Sequence, residues 1–208
     1  MNFDTALSAV EEALKAPLPG AAAHARLAPR PRREWPPGFD PAAIRDAAVL
    51  LLLFPIDNRA HIVLTVRAGH LGRHGGQVSL PGGVIDPGET HEAAALREAR
   101  EEIGLAIGSV RALGRLTPLE IPVSGFRLHP VVGATLSRPT LTPSTEEVAR
   151  ILEVDIDRLL DRRALTTRDV TAEGGRTLTL PAFSVDDVEV WGATAMVLAE
   201  FLDLLPSN

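Results

Sequence analysis

The stretch GVIDPGETHEAAALREAREEIGL, residues 83–105, decides how the rest of the chain is read. Its second half is built from Ala, Leu, Glu and Arg, which are strong helix formers. Pro87 and Gly88 precede it as breakers, Thr90 stands where an N-cap belongs, and Gly104 follows as a left-handed C-cap. At about 100° per residue, Glu98, Glu101 and Glu102 fall within one arc of such a helix, while Leu96, Ala99 and Ile103 lie on another side. The helix therefore has a dry face and an acidic one. Like charges three or four positions apart repel by roughly 0.2–0.5 kcal/mol each on an exposed helix, so the acids call for a cation. Arg97 and Arg100 are candidates, and so is a metal ion.

Outward from this helix the pattern changes from period 3.6 to dense apolar runs. AAVLLLLF (47–54), an Asp57-Asn58 turn and HIVLTVR (61–67) read as a strand hairpin, followed by a glycine-rich loop from Gly69 to Gly76. Downstream, SVRALGRLTPLEI, FRLHPVVGATL and TLTLPAF have strand character, ILEVDIDRLLD reads as a strand running into a short helix, and WGATAMVLAEFLDLL as a closing helix that is given no chemical role. Phe3, Leu7, Val10 and Leu14 mark a short amphipathic helix near the N-terminus. Residues 16–45, rich in Pro, Ala and Arg, read as an extended strap or linker, so the division expected is 1–44 as helix and Pro-rich extension and 45–208 as the main domain. Mixed strands and helices of this order imply α/β or α+β layering.

Composition narrows the chemistry. A chain of 208 residues suffices for a hydrophobic core. Its formal net charge of −6 argues against broad attraction to nucleic acid, so an anionic ligand must be held locally. Cysteine is absent, which excludes disulfides, thiolate metal sites and a cysteine nucleophile together; a reducing cytoplasmic setting is compatible and is the expected location. The longest apolar run is eight residues, far short of the roughly 20 that span a bilayer, so no membrane partner is expected. Arginine outnumbers lysine twenty to one, a bias across the whole chain that carries little weight for any one site.

Residues 83–105 resemble the Nudix box, G-x5-E-x7-R-E-U-x-E-E-x-G-U with U a bulky or aliphatic residue: Gly83, Glu89, Arg97, Glu98, Ala99, Glu101, Glu102, Gly104 and Leu105 occupy its positions, with Ala99 a small choice for U. The resemblance implies a Nudix-type α/β/α sandwich around a mixed β-sheet, hydrolysing a diphosphate linkage with Mg²⁺ or Mn²⁺. Carboxylates holding hard divalent cations neutralise phosphate charge and activate water. Glu98 and Glu102, four apart, would grip the ion, with Glu101 beside them and a peptide carbonyl of the Gly82-Gly83 turn completing the shell. Arg97 is expected to brace the loop by pairing with an acid such as Glu89. Glu146 and Glu147 lie in a polar loop where such enzymes often place a further carboxylate, so Glu147 joins Glu101, Glu102 and Arg97 as a catalytic candidate.

VLTVRAGHLGRHGGQVSLPGG, residues 63–83, is similar to the additional signature of the coenzyme A diphosphatases within this group, L-L-T-x-R-S-x3-R-x3-G-x3-F-P-G-G. Leu64, Thr65, Arg67, Gly76, Pro81, Gly82 and Gly83 fit; Ala68, Gly72 and Leu80 depart, and Arg73 stands one place late. Arg67, His70, Arg73 and His74 would then meet an anionic substrate with a phosphate beyond the scissile pair. His70 and His74 also mimic a zinc pair, but the LGR between them lacks a zincin's glutamate. The resemblance runs from about Arg45 to Leu205 and implies coenzyme A as substrate, cut to 3′,5′-ADP and 4′-phosphopantetheine. NADH, ADP-ribose or a nucleoside triphosphate is the alternative, and a nucleotide-sensing domain without catalysis a third reading. The expected partner is a small-molecule nucleotide, with a homodimer left open.

Overall fold

The eight-residue apolar run becomes the middle of β1 (Arg45–Ile56), the strand on which the other layers are built. The computed structural model describes residues 1–32, 34–69, 76–171 and 177–206. Ahead of β1 come α1 (Phe3–Ala13) and α2 (Gly20–Leu27). After it come β2 (Arg59–Arg67), β3 (Val78–Ser79), β4 (Gly82–Val84), α3 (His91–Ile103), β5 (Arg111–Arg115), β6 (Leu119–Ile121) and β7 (Phe126–Ala134). The chain then forms β8 (Val148–Asp155), α4 (Ile156–Leu160), β9 (Leu165–Thr171), β10 (Thr177–Val185), β11 (Val188–Trp191) and α5 (Gly192–Leu202).

Asp57 and Asn58 both take positive φ, 47° and 61°, the backbone that a two-residue hairpin turn requires, and Ile56 pairs with Arg59 directly beyond them. The hairpin stays paired only as far as Leu53 and Ile62. Past that point β1 and β2 diverge. β4 pairs antiparallel with β1 through Ala47–Val84, Ala48–Gly83 and Val49–Gly82, while β3 pairs with the far part of β2 at Thr65–Ser79 and Val66–Val78. β7 runs parallel to β1 on its other edge, β5 and β6 pair with β7, and β8 pairs with β2, giving a mixed sheet. β9, β10 and β11 form a second, antiparallel sheet.

Successive residues of β1 point to opposite faces, and both faces are dry. Ala48, Leu50, Leu52 and Phe54 pack with Ala94, Ala95, Ala99 and Ile103 of α3. Val49, Leu51 and Leu53 pack with Phe3, Leu7 and Val10 of α1 and with Val197, Leu198 and Phe201 of α5. This is the α/β/α sandwich around a mixed sheet that the resemblance implied. Among the described residues, no helix is long and apolar enough to cross a membrane.

One stretch differs from its sequence reading. Within the Pro-rich strap, residues 20–27 form α2, with Ala23 and Leu27 buried and His24 buried beside them. Three consecutive alanines hold a helix by propensity yet add no apolar period, so GAAAHARL looks featureless until α5 is present to cover it. Beyond α2 the strap is fixed by a pair of backbone hydrogen bonds, each 2.9 Å, between Arg30 and Thr179 of β10.

Leu51→Ala, at a fully buried position, is expected to cost about 2–5 kcal/mol. Leu136→Ala, at a residue 77% exposed, is expected to stay within about 0.5 kcal/mol of the parent chain. Equilibrium urea unfolding of the two variants checks the placement of the core.

Candidate active site

α3 begins and ends as its sequence foretells. The Thr90 hydroxyl accepts from the Ala93 N–H at 3.1 Å, and Gly104, with φ 65°, donates its N–H to the Arg100 carbonyl at 3.0 Å. The loop between β4 and this helix is drawn in by Arg97. Its Nε donates to Glu89 Oε1 at 2.8 Å and its Nη2 to Glu89 Oε2 at 3.0 Å and to the Val84 carbonyl at 2.9 Å. Glu89 in turn accepts from the Asp86 N–H at 3.0 Å. The Arg97 hydrogen bond holds the Glu89 carboxyl below its usual range, and pairing with Glu89 pushes the guanidinium's proton affinity up. The Arg97–Glu89 pairing expected from the sequence is therefore present as a two-pronged contact.

The remaining prong, Nη1, reaches Glu98 Oε1 at 2.8 Å and Glu101 Oε2 at 3.3 Å. Below them, β4 approaches so closely that side chains are excluded. A Cβ on Gly82 would lie 2.3 Å from the Ala48 carbonyl oxygen, and one on Gly83 would lie 2.5 Å from the Glu98 carboxyl group. The Gly82 N–H donates to Glu102 Oε2 at 3.1 Å.

Glu102 is only 4% exposed, although the helical wheel groups it with the acidic face. Burial pushes its pKa up to about 7, against a reference of 4.5, and the negative charges of Glu147 and Glu98 add to the rise. The Gly82 N–H and the Arg67 guanidinium, whose Nη1 lies 4.0 Å from Glu102 Oε1, oppose it without cancelling it. The loop carrying Glu147 is docked here by its backbone: Ser144 N–H donates to the Glu102 carbonyl and Ala68 N–H to the Glu147 carbonyl, both at 2.8 Å.

The fold thus gathers Gly83, Arg97, Glu98, Glu101, Glu102, Glu147 and Arg67. His70, Arg73 and His74, also expected to face substrate, lie outside the described residues, as does Gly72. Among the described residues, no three imidazole or carboxylate groups stand together as a ready cage for a metal ion; the Arg97 guanidinium bridges Glu98 and Glu101 instead. The donor set nevertheless suits a hard divalent cation, being carboxylate oxygens with a strand backbone pressed against them. A buried acid whose proton affinity is raised by two like charges is a group that added positive charge would relieve.

A cleft of about 810 Å³ has Arg67 and Gly83 of this group, with Val84, in its lining. Its other walls come from Ala28, Pro29 and Arg32 of the strap, from Leu119–Ser124 and Phe126, from Leu178 and Leu180, and from Trp191, Thr194 and Met196. Sequence reasoning missed these walls. The strap reads as an extended segment or linker and the closing helix carries no chemical role in the sequence, and no local motif links segments so far apart. The available signs were the polar Thr194 and Glu200 in a helix whose other residues are apolar or small.

An acid-lined helix beside a cleft in an α/β sandwich is the setting in which comparison with known proteins places the function. Residues 44–173 match the family model described as the NUDIX domain. Nudix hydrolase 3 of Caenorhabditis elegans is 32% identical over 176 residues, covering 76% of this chain and 72% of that protein. An uncharacterized Nudix hydrolase, NudL, of Yersinia pestis is 34% identical over 160 residues, covering 76% and 78%. A crystal structure of a Nudix hydrolase from M. Smegmatis, RenU, is 26% identical with a TM-score of 0.46, covering 57% of this chain and 74% of that one. The chain belongs to the Nudix family and is a Nudix hydrolase.

Two measurements probe this geometry. Gly83→Ala forces the Glu98 carboxylate aside, so Mg²⁺ or Mn²⁺ affinity measured by calorimetry should fall about tenfold or more, with the circular dichroism spectrum retained. The raised pKa of Glu102 means that the folded chain binds its proton more tightly than the unfolded one. Its contribution to stability is complete below about 4.5 and is lost as pH rises through about 7. In metal-free buffer this loss is on the order of 3 kcal/mol, and Glu102→Gln should remove that part of the slope in unfolding curves taken across the window.

Proposed function

We propose that this chain hydrolyses the diphosphate linkage of coenzyme A or its derivatives, releasing 3′,5′-ADP and 4′-phosphopantetheine. The observation that carries the reading is that the two resembling segments fold onto one another. Gly82 of the coenzyme A diphosphatase-like stretch donates to Glu102 of the box, and Arg67 of that stretch stands 4.0 Å from the same carboxylate. Two of the stretch's three departures are packing positions, since Ala68 and Leu80 are 5% and 3% exposed. Both face the interior here and leave Arg67 in place. The apolar cleft suits the long uncharged pantetheine arm.

Nudix enzymes generally use divalent cations, and here Glu98, Glu102, Glu101 and the Gly83 carbonyl would hold Mg²⁺ or Mn²⁺, which lowers the pKa of water and screens the phosphate oxygens. Water attacks one phosphorus, the bridging P–O bond breaks, and the departing phosphate carries the bonding pair. Glu101, Glu102 and Glu147 are the candidates to receive the proton from water, and the raised pKa of Glu102, about 7, supports it as a base. Arg97 holds the loop and orients Glu98 and Glu101. Arg67, with His70, Arg73 and His74, takes the outlying phosphate. Gly72 in place of the signature's arginine favours the second reading, another nucleoside diphosphate derivative such as NADH or ADP-ribose.

The test is incubation of the purified chain with Mg²⁺ and coenzyme A, dephospho-coenzyme A, NADH or ADP-ribose in ¹⁸O-water, with products read by mass spectrometry. The expected result is fastest cleavage of coenzyme A with one label in one product. Preference for ADP-ribose or NADH would replace the substrate assignment. Glu98→Gln and Glu102→Gln should each lower kcat by about 10²–10⁴-fold while folding normally, and full turnover in both would sink the proposed metal-ligand roles.

A further inference from the structure

We infer that Glu200 is a positioning residue for the substrate cleft, its buried carboxylate tying together three chain segments that build its walls. Glu200 lies on α5 with no exposed surface. Its Oε1 accepts from the Gly20 N–H at 3.1 Å and from the Thr117 hydroxyl at 2.6 Å; its Oε2 contacts His24 Nε2 at 2.8 Å; and the Thr117 N–H is shared between both oxygens at 3.3 and 3.2 Å. These donors belong to α2, to the link between β5 and β6, and to no part of the catalytic helix.

Each tied segment runs directly into the cleft. α2 continues to Ala28 and Pro29, the Thr117 link continues to Leu119 and Ile121, and the first turns of α5 itself supply Thr194 and Met196. A carboxylate buried without partners would be severely destabilising, so the cluster holds only when all three segments are in place. Burial pushes the Glu200 pKa up, but the hydrogen bonds from His24 and Thr117 outweigh it and hold the carboxyl below its usual range. The ionised clamp fixes the walls relative to one another while touching neither the acids nor Arg97. Loosening it therefore weakens substrate binding and leaves the chemical step intact. The inference rests on this cleft being the hydrolase's substrate site and is independent of which diphosphate enters.

The experiment compares Thr117→Val, Thr117→Ser and Glu200→Gln with the parent in the full chain. KM and kcat are measured with Mg²⁺ on coenzyme A and ADP-ribose, and affinity for both by calorimetry in Mg²⁺-free buffer gives the same comparison without turnover. Thr117→Val loses one charge-assisted hydrogen bond and keeps the side-chain shape. It should raise KM and Kd about tenfold with kcat within about twofold. Thr117→Ser should restore the parent values, and Glu200→Gln should exceed Thr117→Val. Should Glu200→Gln fail to fold, the Val and Ser pair decides. Unchanged KM and Kd in folded Thr117→Val, or a fall in kcat alone, would overturn the inference. Binding or cleavage of ADP-ribose but not coenzyme A would remove the coenzyme A assignment and still judge the clamp on ADP-ribose.

Discussion

The divergence of β1 from β2 beyond Leu53 and Ile62 is the constraint on which the rest of the molecule depends. Two adjacent strands that separate leave edge N–H and C=O groups that must be paired again. β3 and β4 do so within the wedge, and the crossing between them brings Pro81, Gly82 and Gly83 against the backbone of β1. The approach is so tight that Gly82 has no room for a Cβ beside the Ala48 carbonyl. The same closeness lets α3 lie across β4 with Ala94, Ala95 and Ala99 inward. Small residues on the dry face are thus a condition for the acids to reach the strand backbone. Ala99, an undersized choice by the family pattern, is fully buried at this contact.

Electrostatics then sorts Glu89 and the acids of α3 by burial and partner. Glu89 is neutralised by two prongs of Arg97 and serves the loop. Glu98 and Glu101 share the third prong, which holds their carboxylates together. Glu102 receives one backbone N–H and a guanidinium at 4.0 Å, and it faces two further negative charges. Five carboxylates around one firmly held arginine and one distant one leave an excess of negative charge. The repulsion foreseen from the helix pattern is concentrated on its most buried member.

What the sequence made legible was local and periodic. The caps at Thr90 and Gly104, the Asp57-Asn58 turn, the two-sided burial of AAVLLLLF and the spacing of the acids all follow from interactions spanning a few residues, and each is observed. The Arg97–Glu89 pair was legible too, because seven intervening residues can close only a short loop and one helical turn. α2 was not, since GAAAHARL owes its order to Glu200, 176 residues beyond His24. The cleft walls were hidden for the same reason. They are assembled from strap, loop, small sheet and terminal helix, and no short window of sequence contains them all. The burial of Glu102 was also invisible, because a helical wheel places it among the acids and only the packing of β4 and the 142–147 loop covers it.

Glu102 and Glu200 show how the same side chain, buried in the same sandwich, acquires opposite character. Desolvation pushes both upward, so burial alone cannot separate them. Around Glu200, donors from two other segments converge on two oxygens, and the carboxylate remains ionised as a completed joint. Around Glu102, the protein stops short: one N–H is in contact, the arginine is held off, and two anions stand nearby. A fully satisfied network contributes rigidity, whereas an unfinished one is a place where charge from outside is favourable. The first suits a framework and the second a site that takes up charge. That difference in donor count, more than any difference in depth, separates framework from chemistry in this fold.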